Sequence, residues 1–525
     1  MDSLAHPRSV LLPVQGLSSA RIGAPWRSVL MVVAGLTLAR IAALFLTPLQ
    51  LYPDEAQYWL WSRTLDWGYY SKPPMIAWAI WATTALGGNA EPWVRLSAPL
   101  FHAGAALAIF AAARRLYGPS AAFTACVLYL LMPGVALSSA VIATDAPLLF
   151  CLSLALMAYV ELLRTDGARR IRIAAMLGAA IGLAFLSKYA ALYFALGLGL
   201  HAAVSPSARS IWRPAALAAA LGAFAIVLAP NLLWNAAHGF ATIQHTASNA
   251  DWSEEHGLDP RRLLAFLGGQ FGVFGPIPFA VLVGGGMVLA VRRRLAEEDA
   301  LLLCLAAPAL AIVTAQTLVS RANANWAAAA YVPGSIVVAA WLVRWRAQRW
   351  LLAAIGLQAV VAALFVVWVA APATAEAMGV ANSFKRAKGW AEMTDAVVAR
   401  AEREPGLTAV AVNNRFLFNV MAYYGRDVWR DRRMPPLVMW LRTTGPQNQA
   451  EMDAPLTPAR GARVLGVAME GVYADEMAAD FARATGREIV SVRLDRKRKR
   501  KAELFVGEGF RPRPRDPVTG LPTPP

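Results

Sequence analysis

The sequence predicts a polytopic α-helical membrane protein, with about 11 spans by length and hydropathy, ending in an α/β extracytoplasmic domain. Three observations carry that expectation. Hydrophobic residues make up 57% of the chain and charged residues only 16%, against roughly 25% charged in a soluble domain. Apolar runs of about 20 residues recur, the length that crosses about 30 Å of hydrocarbon. Beyond residue 371 the composition turns charged, and short or alternating apolar runs replace the long ones.

The spans fall at 28–47, 92–114, 120–138, 145–163, 171–187, 189–204, 214–234, 263–291, 300–319, 326–343 and 350–371. The first is longer than the core of a signal peptide and no small-residue cleavage site follows it, so it is expected to be retained. The run 171–204 is divided only by the turn at Ser187 and Lys188. Read as a single helix, it would lower the count by one and move the C-terminus to the cytoplasm.

The net charge of +17 reports topology and does not point to nucleic acid. Basic residues cluster in alternate loops: Arg8, Arg21 and Arg27, then Arg114 and Arg115, Arg169 and Arg170, Arg209 and Arg213, Arg292 to Arg294, and Arg344, Arg346 and Arg349. This is the positive-inside pattern. It places residues 1–27 in the cytoplasm as a tail and the segment after the first span on the opposite side, with membrane lipid as an expected partner.

Four regions follow: the tail 1–27, a membrane domain 28–371, an outer domain 372–510 and a Pro-rich tail 511–525 expected to be disordered. In the outer domain, strands are expected at 408–412, 462–469, 488–494 and 502–506, with helices at 390–402 and 474–484. The run RKRKRK at 496–501 reads as a solvated hairpin turn or as a contact for anionic headgroups.

The chain is organised around residues 51–78, LYPDEAQYWLWSRTLDWGYYSKPPMIAW, which place acids, Tyr and Trp beside the first span. Such a segment suits an interfacial site more than a plain connector; an amphipathic helix anchored by its aromatics is the other reading, and the two are compatible. Asp54 and Glu55 could take a proton from a hydroxyl, as general-base catalysis requires. The same acids suit a helix N-terminus after Pro53. Lys72 precedes two prolines and is held out of helical geometry, which fits a phosphate holder or a snorkelling lysine.

Asp145 in TDAP, Lys188 in FLSKY, and Arg321 in SRANANW fall at outer ends of spans, where ionisable groups are costly and point to function. Asp145 also fits a helix cap. Cys126, Cys151 and Cys304 lie inside apolar runs as small core residues, with no disulfide framework or CxxC metal site. His245, Asp251, Glu254, Glu255 and His256 crowd one outer loop, but their spacing fits no compact metal motif.

DEAQYW, GYYSKPPM, the TDAP turn, FLSKY and NWAAAAYVPG, followed by AYYGR and PQNQAEMDAPLT, form an ordered set that covers most of the chain. In this set the sequence resembles the GT-C glycosyltransferases, in the protein mannosyltransferase and aminoarabinose transferase superfamily, within its galacturonosyltransferase-like (RgtA/B/C/D-like) bacterial branch. The resemblance implies transfer of a sugar, with inversion and without a nucleotide, from a polyprenyl-phosphate donor to a lipid or glycan acceptor such as lipid A. It also implies a multi-pass protein of the bacterial inner membrane with its site on the periplasmic side.

By the same resemblance, Asp54 matches the family's catalytic acid and Glu55 its neighbour. Tyr58 matches an aromatic lining the donor site, Lys72 the lysine that meets the donor phosphate, and Asp145 the acid opening a later span. Tyr69 and Tyr70 would stack on sugar or prenyl, and Lys188 or Arg321 would add anion contacts. Ser71 departs from the pattern, because aminoarabinose transferases carry there a Glu that belongs to a metal site. The resemblance therefore does not carry a metal or the aminoarabinose substrate onto this chain.

The chemistry is consistent with those roles. A lipid-phosphate donor already carries an activated anomeric carbon, so the protein must hold the leaving phosphate and orient one hydroxyl. A transporter or flippase of lipid-linked sugars would also want intramembrane charges, but inverted repeats with broken helices in matching halves are not evident. A membrane assembly factor leaves the charged first loop unexplained.

Overall fold

The computed structural model describes residues 26–248, 259–469, 471–517 and 519–523. Asp251, Glu254, Glu255 and His256 lie outside the described residues. The chain divides into two compact units. The first takes residues up to Phe45, Lys72–Ala79 and Arg95–Ala370, and the second takes Leu46–Ser71, Ile80–Val94 and Ala371–Pro525. The segment carrying Asp54 is thus grouped with the C-terminal residues.

In the first unit, eight helices of the described residues are long and apolar enough to cross a membrane, from Trp26–Leu46 to Gln348–Ala370. They coincide with eight of the expected spans. The other three are interrupted. Residues 120–138 form Pro119–Leu131 and Pro133–Ser138, parted at Met132, where Pro133 cannot continue the ladder. Residues 189–204 open with a 3-10 turn, Tyr189–Ala191, before Leu192–Val204. Residues 263–291 break at Gly275, whose φ of 100° ends Pro260–Val273, and then pass through a π-helical turn at Val281–Gly285. Met75–Gly87 is a further short apolar helix within a stretch expected to be loop.

Ala324–Arg344 is the innermost of these helices, buried throughout from Ala327 to Leu342. Pro214–Ala237 and Gln348–Ala370 are largely exposed, as lipid-facing helices would be. Helix packing relies on small residues, the device that lets backbones approach closely in lipid. A Cβ added at Gly178 would lie 1.9 Å from the carbonyl oxygen of Ala220, so Gly167–Ser187 and Pro214–Ala237 touch backbone to backbone there. Fully buried Asp299 ties three helices, accepting from both terminal nitrogens of Arg344 at 2.8 and 2.7 Å and from the Tyr117 hydroxyl at 2.8 Å.

The second unit holds a five-stranded sheet of β1 (Ala409–Val412), β2 (Leu437–Met439), β3 (Arg463–Met469), β4 (Phe481–Arg493) and β5 (Lys499–Phe510), in the order β2-β1-β3-β5-β4. The first three strands are parallel, and β5 runs antiparallel to both neighbours. Helices Trp390–Glu402 and Arg415–Tyr424 belong to the same unit.

Two expectations are corrected here. The helix expected at 474–484 stops at Ala478, and Phe481 onward is β4, because pairing with β5 overrides the helical pattern of a mostly exposed edge strand. The tail expected to be disordered is held instead: Arg513 and Arg515 donate to the buried Asp480 carboxylate at 2.9 and 2.8 Å. Trp440 Nε1 adds a third side-chain bond at 2.8 Å.

Candidate active site

Asp54 and Glu55 lie in the first turn of Pro53–Trp61, a helix opened by proline. Glu55 is fully buried and its Oε2 accepts from the backbone N–H of Tyr52 at 2.9 Å, which stitches the helix start. Asp54 is half-buried. Its carboxylate has no hydrogen bond or ion pair among the described residues. The acid that carries the resemblance to a catalytic residue is therefore uncommitted, and its neighbour bonds the backbone.

The rest of this segment is fastened in part by residues more than 300 positions away. The Tyr424 hydroxyl accepts from the Leu51 N–H at 2.7 Å. Asn419 Nδ2 donates to Gln57 Oε1 at 3.2 Å, and Gln57 Nε2 donates to Ser71 Oγ at a long 3.5 Å. Trp59 meets Tyr423 edge to face at 4.9 Å and donates from Nε1 to Asn89 Oδ1 at 2.9 Å. Arg63 lies over the Trp59 ring and donates to the same Asn89 oxygen at 3.0 Å.

The three tyrosines are placed differently. Tyr58 is buried and tilts against Trp61 at 5.4 Å. Tyr69 stacks flat on Trp61 at 4.7 Å, and its hydroxyl bonds the carbonyl oxygens of Trp61 and Thr64, both at 3.0 Å. Burial pushes that phenol up to about 12. Tyr70 is gripped by the loop that opens PQNQAEMD: its N–H donates to Gln449 Oε1 at 2.8 Å and its hydroxyl to the Pro446 carbonyl at 3.1 Å. Asn448 caps the helix of that loop, accepting from the Glu451 N–H at 3.1 Å and donating to Glu451 Oε1 at 2.8 Å. Burial holds the Glu451 carboxyl above the usual carboxylate range.

In the first unit the structure brings Asp145 and Lys188 together. Lys188 Nζ donates to Asp145 Oδ1 at 2.8 Å, and Asn325 Nδ2 donates to Oδ2 at 2.9 Å. Lys188 is the residue at which Gly167–Ser187 ends, and Asn325 belongs to the 3-10 turn Ala324–Ala330. Three chain breaks therefore meet on one carboxylate. Arg321, in the loop before that turn, is exposed, and its guanidinium makes no hydrogen bond or ion pair among the described residues. Lys72 is half-buried in the bend before Pro73.

Ser71 offers a hydroxyl where the metal-binding relatives of the resemblance carry a carboxylate. Among the described residues no three His, Cys, Asp or Glu side chains form a metal cluster. Among the described residues, the donor set at Ser71 does not fit a metal site.

Gln57, Asn419, Tyr424 and Gln449 were not singled out as site residues from sequence, whereas Asn325, which meets Asp145, stood among the candidates at the outer ends of spans. PQNQAEMDAPLT was visible as a motif, but nothing local says that it grips Tyr70.

The lipid A galacturonosyltransferase RgtD of Rhizobium johnstonii is 38% identical over 375 residues, covering 71% of this chain and 77% of that one. The family model for dolichyl-phosphate-mannose-protein mannosyltransferase matches residues 71–234, which include Lys72, Asp145 and Lys188. The fold is shared with ArnT from Cupriavidus metallidurans. Its apo structure gives a TM-score of 0.63 at 17% identity, over 91% of this chain and 97% of that one. Its structure bound to undecaprenyl phosphate gives 0.66 at 18%, over 92% and 98%. The chain belongs to the GT-C glycosyltransferases of the protein mannosyltransferase superfamily, and it is a multi-pass membrane enzyme that transfers a sugar.

Proposed function

We propose that this enzyme transfers a sugar from a polyprenyl-phosphate donor to a lipid A-like acceptor on the periplasmic face of the bacterial inner membrane, with inversion at the anomeric carbon. The observation that supports this reading most is the uncommitted Asp54 carboxylate on a helix whose other polar groups are tied down. The acceptor hydroxyl oxygen attacks the anomeric carbon and the bond to the phosphate oxygen breaks. The electron pair leaves with the polyprenyl phosphate, and the hydroxyl proton passes to Asp54.

Lys72 and Arg321 hold the phosphate as its charge grows. Lys188 already carries Asp145 as its counter-ion, so its contribution is to keep three loop ends in register. Glu55 fixes the helix start, and Tyr69 and Tyr70 shape the loop, leaving Tyr58 and the neighbouring tryptophans as apolar lining. The relative named for lipid A and the one bound to undecaprenyl phosphate support the donor and acceptor classes.

Purified protein in detergent, given radiolabelled polyprenyl-phosphate galacturonic acid and lipid A, is expected to form labelled lipid A. A protein that only moves lipid-linked sugar across a bilayer forms no such product, and its absence under conditions where a family member is active would refute the proposal.

A further inference from the structure

The hairpin between β4 and β5 has no part in the chemistry above, yet it concentrates more charge than any other segment of its size. Residues 373–388 and 493–501 carry ten basic residues and two acids, Glu376 and Asp495. The hairpin and the segment 373–388 meet around a recess of about 510 Å³, lined by Glu376, Ala377 and Gly379 on one side and by Asp495, Arg496, Lys497 and Arg498 on the other.

The recess is a built structure. Asp495 Oδ1 accepts from the Lys497 and Arg498 N–H groups at 2.8 and 2.9 Å, which closes the turn. Arg498 bonds Asn382, and Arg500 donates to the carbonyls of Lys385 and Lys388, both at 3.0 Å, while lying 3.3 Å over the Trp390 ring. Burial and the nearby Arg386 bring the Arg500 guanidinium down to about 10. A rigid turn therefore holds cations where like charges repel.

The two acids are already spent. Glu376 pairs with Lys388, and Asp495 pairs with Arg498 at 3.2 Å. The side chains of Lys385, Arg496, Lys497 and Lys499 are exposed and make no hydrogen bond or ion pair among the described residues.

Connectivity ties part of this cluster to a membrane helix. Gln348–Ala370 has 23 residues, about 35 Å at 1.5 Å each, enough for the hydrocarbon core of about 30 Å. Pro372–Ala377, which supplies part of the recess, starts two residues after that helix ends. Residues 373–388 follow that helix directly in sequence and the hairpin is bonded to them, so lipid phosphates are the nearest anions to a cluster of this kind.

We propose that the hairpin tip and residues 373–388 form a binding surface for anionic phospholipid headgroups of the phosphatidylglycerol class, with one headgroup phosphate seated between Arg496 and Lys497 in the recess. The surface would fix the outer unit against the bilayer independently of donor or acceptor. It does not rest on the proposed substrates.

The test uses the full-length protein in detergent, with phosphatidylglycerol or phosphatidylcholine added and bound lipid counted by native mass spectrometry. Phosphatidylglycerol is expected to bind more tightly than phosphatidylcholine. Lys385→Ala, Arg496→Ala, Lys497→Ala and Lys499→Ala combined should weaken it about tenfold or more, since each cation near a surface contributes. Lys497→Arg with Lys499→Arg should retain it. The variants' melting temperatures report whether the unit is folded. A salt titration of the unaltered protein supplies a readout that needs no variant, and affinity should fall as salt rises. Equal binding of the two lipids, undiminished binding by the folded quadruple variant, or full displacement by millimolar inorganic phosphate would each overturn the proposal.

Discussion

Asp54 and Asp145 occupy similar positions and have opposite surroundings. Each stands in the first turn of a helix in a segment rich in site candidates. Asp145 accepts from Lys188 and Asn325 and has become a joint between loop ends. Asp54 accepts from nothing among the described residues, while Glu55, Gln57 and Trp59 around it are all engaged. A paired carboxylate has already spent its charge on architecture, and a spare one in a rigid frame is available to take a proton. Asp480 marks the far end of the series, with no exposure and three side-chain donors.

The series can be broken at its paired end first. Ending the chain at Phe510 removes both arginines from Asp480 and leaves a buried carboxylate with Trp440 alone, a loss of about 3–5 kcal/mol. Tryptophan fluorescence should show the sheet-bearing unit melting earlier, and adding Asp480→Asn should recover part of the loss because the stranded charge is gone.

The same group sets an acid limit. Burial alone would raise the Asp480 carboxyl, but bonds from Arg515, Arg513 and Trp440 outweigh it and hold the group below the usual range. Its contribution is complete above the ordinary carboxylate value of about 3.9 and is lost as pH falls through the lower folded value. Melting temperature against pH should therefore drop below about pH 4, and the shortened chain should show a shallower drop.

Lys188→Met should cost about 2 kcal/mol, between the 0–1 of an exposed pair and the 3–5 of a buried one. Asp145→Asn together with Lys188→Met should cost less than the sum of the two single changes, as coupled partners do. Strict additivity would dissolve the contrast drawn between the two acids.

Tyr70→Phe removes the hydroxyl's bond to the Pro446 carbonyl, about 1 kcal/mol or less. Turnover should fall a few-fold with donor affinity intact, and a larger loss would make Tyr70 a direct contact of the reacting groups.

The membrane helices were legible because hydropathy over about 20 residues is a local signal, and so was the segment 51–78, dense in acids and aromatics. What fastens that segment was not legible. The partners of Leu51, Gln57 and Tyr70 are Tyr424, Asn419 and Gln449, more than 300 residues away, and no periodicity reports a pairing at that range. The Pro-rich tail misled for a related reason. Composition gave it no core of its own, but its order comes from Asp480, a residue of another segment.

The proton-accepting role proposed for Asp54 is tested most directly by comparing Asp54→Asn with the unaltered protein for transfer, donor retention and melting temperature. It predicts a fall in transfer of about 10²–10⁴-fold, with donor still bound and the melting temperature unchanged. Turnover within about twofold of the unaltered protein would contradict it and leave the carboxylate without the proton-accepting role assigned to it.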